Sequence, residues 1–350
     1  MLDLQFEIDP ITNFLVGLLN TPSPTGYHAE AIGYVETRFA ALGIRGLALR
    51  RTPKGALVIT WAGDQETAPR GLTAHIDTLG LMVKEIKSNG RLKLTMLGGY
   101  MWNAVEFEGV TIQTHDGAQY RGTVLPVKAS VHIHRDAGDA TRSADTMEVR
   151  VDARVSNADE TRELGIEVGD FVFLDPRVEI TDTGFVRSRH LDDKASVAAI
   201  YGAFRALHAA GARPAQTVTT VIANYEEVGH GASAGFPDNL SELVAVDMAA
   251  VGEGQNSDEF SVGICVKDAG GPYHAELTRK LRALAEHAGI PYKPDIYPYY
   301  GSDGEAYWRA GGAAQVALIG PGVDASHAYE RTHQDSLIHT AHLIARFLLS

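Results

Sequence analysis

The sequence predicts an α/β protein whose core is interrupted by a compact β domain, on three observations. Short apolar, β-branched runs alternate with helical patterns near the start of the chain and again through its second half. Between about residues 82 and 183 helical periodicity disappears, and short strand-like pieces are separated by Gly and Asp turns. Residue types that bind metal ions stand where the apolar runs end: His75 and Asp77, Asp192 and Asp193, Glu226 and Glu227, Asp247 and His327. A chain of 350 residues is long enough for two domains and a substantial core.

Taken in order, Asp9 reads as an N-cap with Pro10 at the first helical position, opening a helix that runs to about Asn20. A second helical pattern covers residues 28–42 and stops at Gly43, a natural residue just past a helix end. Strands follow near residues 57–61 and 71–76. Inside the interruption, residues 91–95, 111–114, 147–151 and 171–174 read as strands. His132 and His134, in the stretch 131–135, read as alternating along one strand face. With no carboxylates beside them they suit an interface or a surface better than a metal site. Beyond Asp192 the alternating order returns, with helices over residues 194–210, 272–288 and 336–349. The division is therefore a discontinuous domain, 1–81 with 184–350, and an inserted β domain, 82–183, entered where chain ends emerge close together. No internal repeat or low-complexity segment is evident.

Composition narrows the class. The formal net charge of −13, from 31 Lys and Arg against 44 Asp and Glu, argues against nucleic acid as a partner. Cys265 is the single cysteine, so no intramolecular disulfide forms, and it reads as a small core residue. Charges and glycines interrupt every apolar run before membrane-spanning length. The opening Met1-Leu-Asp-Leu-Gln-Phe-Glu lacks the basic region of a signal peptide, and the expectation is a cytoplasmic protein with no membrane partner.

Each metal-binding motif has an ordinary explanation when taken alone. His75 and Asp77 lie two residues apart and so on one strand face. Asp192 and Asp193 open an Ala-rich helix, where acidic residues cap orphan amides. Glu226 and Glu227 end the run 217–225; adjacent like charges repel, which makes them less like an ordinary turn. Asp247 ends the run 243–246, and His327 follows the run 315–319 and a Gly-Pro-Gly turn. Four of these groups fall at or just beyond strand C-termini, where open α/β sheets bind their ligands. Together they suggest a two-metal hydrolase.

Thr73-Ala-His75-Ile-Asp77, Leu191-Asp192-Asp193-Lys194, Tyr225-Glu226-Glu227-Val-Gly229, Val246-Asp247 and Gly301-Ser302-Asp303 follow one another in an order and approximate spacing that resemble the tetrahedral (TET) di-metal aminopeptidases, also called glutamyl aminopeptidases. Pro22-Ser-Pro-Thr-Gly26-Tyr and the segment from Glu163 to Asp170 also look like that family's connecting motifs. The resemblance covers nearly the whole chain. It implies a mixed-sheet α/β/α di-metal exopeptidase core with an inserted small β-barrel-like domain. It further implies two divalent metal ions per subunit, zinc foremost, with cobalt or manganese as alternatives. Asp192 would bridge them, His75 and Asp247 would complete one coordination set, and Glu227 and His327 the other. Asp77 would accept the spare N–H of His75, and Glu226 would be the general base acting on a metal-bridging water. The paired aspartates would be joined by a cis peptide, and Ser302 and Asp303 would border the substrate. In that family the inserted domain pairs subunits and helps build a hollow dodecamer.

Where this chain departs from the family pattern, His333 is the alternative to His327, which is favoured because it precedes Glu330. The stretch 327–333 resembles a divergent branch associated with a capped dipeptide osmolyte, N-acetylglutaminylglutamine amide. The leading expectation is removal of N-terminal residues from short peptides. The rivals are an amidase, deacylase or carboxypeptidase acting on N-acylated or capped dipeptides, with Arg189 or Arg331 clamping a carboxylate, and a non-catalytic metal-binding assembly subunit. A glycosidase has no use for two histidines.

Overall fold

The computed structural model describes residues 2–350, which form two compact units: the chain up to residue 77 together with 178–350, and residues 78–177. These limits differ by a few residues from 82–183. A strand of the smaller unit already opens at Gly80, and Glu179–Ile180 pairs with Phe185–Ser188 inside the larger one.

The larger unit is built on a mixed sheet of 13 strands. Its centre is four neighbouring parallel strands, in the order Gln216–Ala223, Gln65–His75, Glu242–Val246 and Gln315–Asp324. Leu57–Trp61 and Leu47–Arg51 extend it antiparallel on one side. Side chains on successive strand residues point to opposite faces. Val244, Val246, Ala317 and Ile319 accordingly join one core cluster, and Leu243, Ala245, Val316 and Leu318 another. The first cluster receives the apolar stripes of helices Ile8–Leu19, Ala29–Ala40, Leu191–Ala209, Ala275–Ala288 and Gln334–Leu349. Across the sheet the short helix Asp303–Arg309 contributes Tyr307 and Trp308. The result is the α/β/α layering that the resemblance implied.

The smaller unit is a closed six-stranded antiparallel barrel in the order Gly80–Ile86, Leu92–Leu97, Met147–Val151, Gln119–Pro126, Gly109–Gln113 and Phe171–Leu174. Closure leaves no open sheet edge, and alternate residues such as Leu81, Val83, Leu94, Ile112, Val124 and Val172 fill the interior.

Three local expectations are corrected. The first helix begins at Ile8 with Glu7 at the capping position, so Asp9 sits in the first turn instead of ahead of it. Residues 131–135 are turns, closed by the amides of Ile133 and His134 on the Ser130 carbonyl, so His132 and His134 do not alternate along a strand. Gly320-Pro321-Gly322 is not a turn but part of the strand Gln315–Asp324. Its glycines answer to crowding: a Cβ on Gly320 would lie 1.8 Å from the Asp247 carbonyl oxygen, and one on Gly322 would lie 1.9 Å from that of Asp258. Because a backbone cannot yield as a side-chain tip does, Gly320→Ala is expected to lower stability by roughly 3 kcal/mol or more and to displace Asp247. Chemical denaturation and bound-metal analysis of that variant check both effects.

Candidate active site

The four parallel strands deliver their carboxyl ends to one edge of the sheet. His75 is the last residue of its strand and lies opposite Ala223, with Glu226 three residues beyond. Asp247 follows Val246 directly. His327 lies three residues after Asp324. Asp192 and Asp193 arrive from the start of helix Leu191–Ala209, where their backbone is non-helical and their peptide bond is cis.

These groups converge around Asp192. Its Oδ1 is 3.2 Å from His75 Nε2, and its Oδ2 is 3.3 Å from His327 Nε2 while also accepting the Ser326 hydroxyl at 3.0 Å. On one side, His75 Nε2 lies 4.0 Å from Asp247 Oδ1 and 3.7 Å from Glu226 Oε2. On the other, His327 Nε2 lies 3.6 Å from Glu227 Oε2. The ligand atoms of His75, Asp192 and Asp247 all fall within 4.8 Å of one another, and all three residues are buried. The Glu226 side chain is the most open of the four carboxylates, 15% exposed against 7% for Asp192, 6% for Asp247 and 4% for Glu227.

His75 Nδ1 donates to the backbone carbonyl of Asp77 at 2.9 Å, which leaves the Nε2 lone pair facing the cluster. The Asp77 carboxylate, 3.7 Å away, is not the acceptor expected for that N–H. It accepts the backbone amides of Glu226 and Glu227, at 3.1 and 3.3 Å, and the Thr25 hydroxyl at 2.7 Å. Spacing of two puts both residues on one face, but it does not say whether side chain or backbone receives the proton. Four residues at the site occupy the left-handed backbone region, His190 (φ 71°), Tyr225 (φ 67°), Ala325 (φ 56°) and His327 (φ 65°), each at or within two residues of a converging carboxylate or imidazole. Such backbone is uncommon outside glycine and concentrates at functional sites.

Burial and mutual repulsion act strongly here. Burial, then the charge of Asp192, raises Asp247 to about 7, and burial raises Asp193, Glu226 and Glu227 well above the carboxylate range. Asp192 moves the other way: despite burial, the His327 and His75 rings hold it well below its ordinary value. Glu227 Oε1 and Asp193 Oδ1 are buried with no hydrogen-bond partner among the described residues. Buried carboxylates in excess over bases, two imidazoles and an unpartnered carboxylate oxygen form an oxygen and nitrogen donor set that fits divalent cations.

The other expected residues are placed as follows. His333 lies at the start of helix Gln334–Leu349, with Nδ1 accepting the Asp335 amide and Nε2 against the Thr183 carbonyl, away from the cluster. Ser302 caps helix Asp303–Arg309 and meets the Tyr273 hydroxyl at 2.7 Å. Asp303 is buried beneath the loop after Glu227, accepting the Ala232 amide at 2.7 Å, and burial raises it to about 6. Arg331 gives two nitrogens to Glu259 at 2.7 Å each, and buried Arg189 donates to the Ala328 carbonyl. Cys265 is buried in the core, and its surroundings push the thiol up to about 12. Sequence reasoning did not single out Glu330 as a site residue. Buried and raised to about 8 by desolvation, it accepts the Asp192 amide at 3.1 Å and the His327 amide at 3.0 Å, joining the two loops. The spacing of three between His327 and Glu330 was its only signal.

Comparison with known proteins identifies a family and a shared fold. Residues 55–343 match the family model of the M42 glutamyl aminopeptidases. The Bacillus subtilis protein named "Putative aminopeptidase YhfE" is 48% identical over 333 residues, covering 95% of each chain. The glutamyl aminopeptidase of Lactococcus lactis is 27% identical over 48% of this chain and 46% of its own length. Among solved structures, an aminopeptidase from the archaeon Desulfurococcus kamchatkensis superposes with a TM-score of 0.86 at 20% identity, over 97% of this chain and 95% of that one. The TET1 peptidase of Pyrococcus horikoshii superposes with a TM-score of 0.81, also at 20% identity, over 97% and 99%.

The placement of the two competing histidines generates a direct expectation. His327→Ala removes one equivalent of bound divalent metal, and His333→Ala leaves metal content intact; elemental analysis of the two variants decides between them.

Proposed function

This chain belongs to the M42 glutamyl aminopeptidase family and is a metallo-aminopeptidase, and from that premise we propose that it removes N-terminal residues from short peptides with two divalent cations and Glu226 as general base. The observation that carries the proposal is the division of Asp192, one oxygen toward His75 and the other toward His327. A carboxylate presenting separate oxygens to two donor sets is suited to a site that would hold two divalent cations. His75 and Asp247 would hold one cation, and His327 and Glu227 the other. When bound, such cations polarise the scissile carbonyl and make a nucleophile available from water near neutral pH. Ligands of nitrogen and oxygen without thiolate suit zinc first, with cobalt and manganese as alternatives.

Glu226 takes the proton from the attacking water and later delivers it to the leaving amine. Its greater exposure and its place beside His75 support that division of labour from Glu227. The backbone amides of both glutamates rest on Asp77, which fixes the turn that separates the two roles. Asp303, beneath the loop after Glu227, supports the substrate side from below, with Ser302 capping its helix. The engagement of Arg331 with Glu259 and of Arg189 with Ala328 favours recognition of a free peptide amine end over clamping of a substrate carboxylate.

The barrel unit is assigned a role in pairing subunits. The TET1 peptidase of Pyrococcus horikoshii is described as assembling into a tetrahedron or a large octahedral shell, and a homo-oligomer, as a dodecamer built from dimers, is proposed here. Among the described residues no helix is long and apolar enough to cross a membrane, and a cytoplasmic location is proposed.

Two measurements test this reading. Metal-reconstituted protein should shorten only the free-amine members of a mixed set of free, N-acetylated and C-amidated short peptides, with product masses read directly. Cleavage confined to the capped members would instead assign an amidase, and no cleavage with zinc, cobalt or manganese a non-catalytic role. Glu226→Gln should retain fold and metal while turnover falls by roughly 10²–10⁴-fold; near-normal turnover would remove its role as base.

A further inference from the structure

We infer that Thr25 is a positioning residue for the reaction, setting the place of Glu226 through the carboxylate of Asp77; the inference rests on the assignment of Glu226 as general base. Thr25 is 6% exposed, and its hydroxyl donates to Asp77 Oδ2 at 2.7 Å. Asp77 has no exposed surface. Its Oδ1 accepts the Glu226 amide at 3.1 Å, and its Oδ2 accepts both the Glu227 amide, at 3.3 Å, and the Thr25 hydroxyl. With no water to reorient against, the direction of this carboxylate follows from its donors. Two of them belong to the turn being held. Thr25 comes from elsewhere in the chain, so it fixes Asp77 independently of the glutamates.

The segment carrying Thr25 is itself anchored on both flanks of the site. Ser23, 1% exposed, donates its hydroxyl to the Ile76 carbonyl at 2.8 Å, between His75 and Asp77. At the other end Lys194, fully buried and next to Asp193, donates to the carbonyls of Leu18 at 3.0 Å and Thr21 at 2.8 Å. Residues 18–25 thus form a strut between the stretch that carries His75 and the stretch that carries Asp192. Thr25 is the point on that strut that reaches the turn bearing Glu226. Loss of its hydroxyl frees Asp77 to rotate, and the turn above it shifts by a fraction of an ångström. Displacements on that scale matter for a proton carrier, because its reach to the water and to the leaving amine is set by hydrogen-bond distances.

Thr25→Val removes the hydroxyl at constant shape, and Thr25→Ser restores it. Both are assayed as full-length protein with saturating zinc, on the peptide that the unaltered protein cleaves best. Expected for Thr25→Val is a kcat roughly tenfold lower, in the range for partners of active-site ligands, with KM within twofold and zinc content unchanged. Thr25→Ser is expected within threefold of the unaltered protein. A kcat for Thr25→Val within twofold, a Ser variant as impaired as the Val variant, or loss of zinc in place of loss of kcat would each overturn the inference. Should Thr25→Val not fold, Thr25→Ala removes the same hydroxyl without added bulk and is judged by the same outcomes. Glu226→Gln run in parallel separates the two levels. An inactive Glu226→Gln beside a normal Thr25→Val removes only the positioning role, whereas an active Glu226→Gln removes the base assignment and this inference with it.

Discussion

The constraint on which the site depends is the crowding of carboxylates in a nearly dry place. Two unit charges 4 Å apart interact by about 4 kcal/mol at an effective dielectric of 20, and Asp192, Glu226, Glu227 and Asp247 sit within such distances of only two imidazoles. Histidines cannot balance that many anions, because each brings at most one positive charge and burial opposes even that one. A cluster of this kind persists only when surrounding structure holds it and cations complete it. The fold supplies the holding. Parallel strands end together on one edge, and four adjacent strands bring residues far apart in sequence to a single rim without any need for flexible loops.

Holding charges together also demands close backbone approach and unusual backbone angles. Gly320 admits the Asp247 carbonyl, and Gly231 leaves room for Asp303, whose Oδ1 would otherwise lie 2.0 Å from a Cβ. His190, Tyr225 and His327 adopt left-handed backbone, a conformation costing on the order of 1–3 kcal/mol outside glycine. Compensation for each is visible. Glu330 accepts the amides of both Asp192 and His327, and Asp77 accepts those that follow Tyr225. The residues that support the site are therefore carboxylates too, turned toward backbone N–H groups and away from the cluster. Anionic acceptors are the strongest partners for such amides.

How much of this was legible in the sequence follows from what kind of signal each part leaves. The layering was readable because continuous apolar runs such as 243–246 and 315–319, the mark of strands buried on both faces, alternate along the chain with helical patterns. The insertion was expected from short strand-like pieces between Gly and Asp turns, and the six-residue helix Ala158–Glu163 within the smaller unit was not foreseen. His75, Glu226, Glu227 and Asp247 stood out because a strand end is an odd place for several metal-binding residue types. What left no such signal was decided by three-dimensional approach. Asp77 was assigned to the His75 ring because the spacing of two is blind to whether side chain or carbonyl turns inward. Gly320-Pro321-Gly322 carries the composition of a turn but meets the needs of a crowded strand. His132 and His134 alternate on paper, yet the chain there turns. Ser23, Thr25 and Lys194 are residue types found on any surface, and only their partners, more than fifty residues away in each case, show that they brace the site.

The sharpest example of sequence neighbours made different by geometry is the pair Glu226 and Glu227. They open a 3-10 turn, Glu226–Val228, in which consecutive side chains diverge by about 120° because there are three residues per turn. In a strand they would point to opposite faces of the sheet, and in an α-helix they would lie about 100° apart on a continuing axis. The short turn, entered through the left-handed Tyr225 and left through Gly229 at φ 86°, directs one carboxylate toward His75 and its neighbour toward His327 without committing more chain to the region. The exposures follow from the same rotation. Glu227 turns into the protein, at 4% exposure, and Glu226 stays nearer the surface, at 15%, a difference that suits the ligand and proton-carrier roles proposed for them. Two adjacent residues of one type thereby acquire two environments, and a difference of environment is what lets identical carboxyl groups do different chemistry.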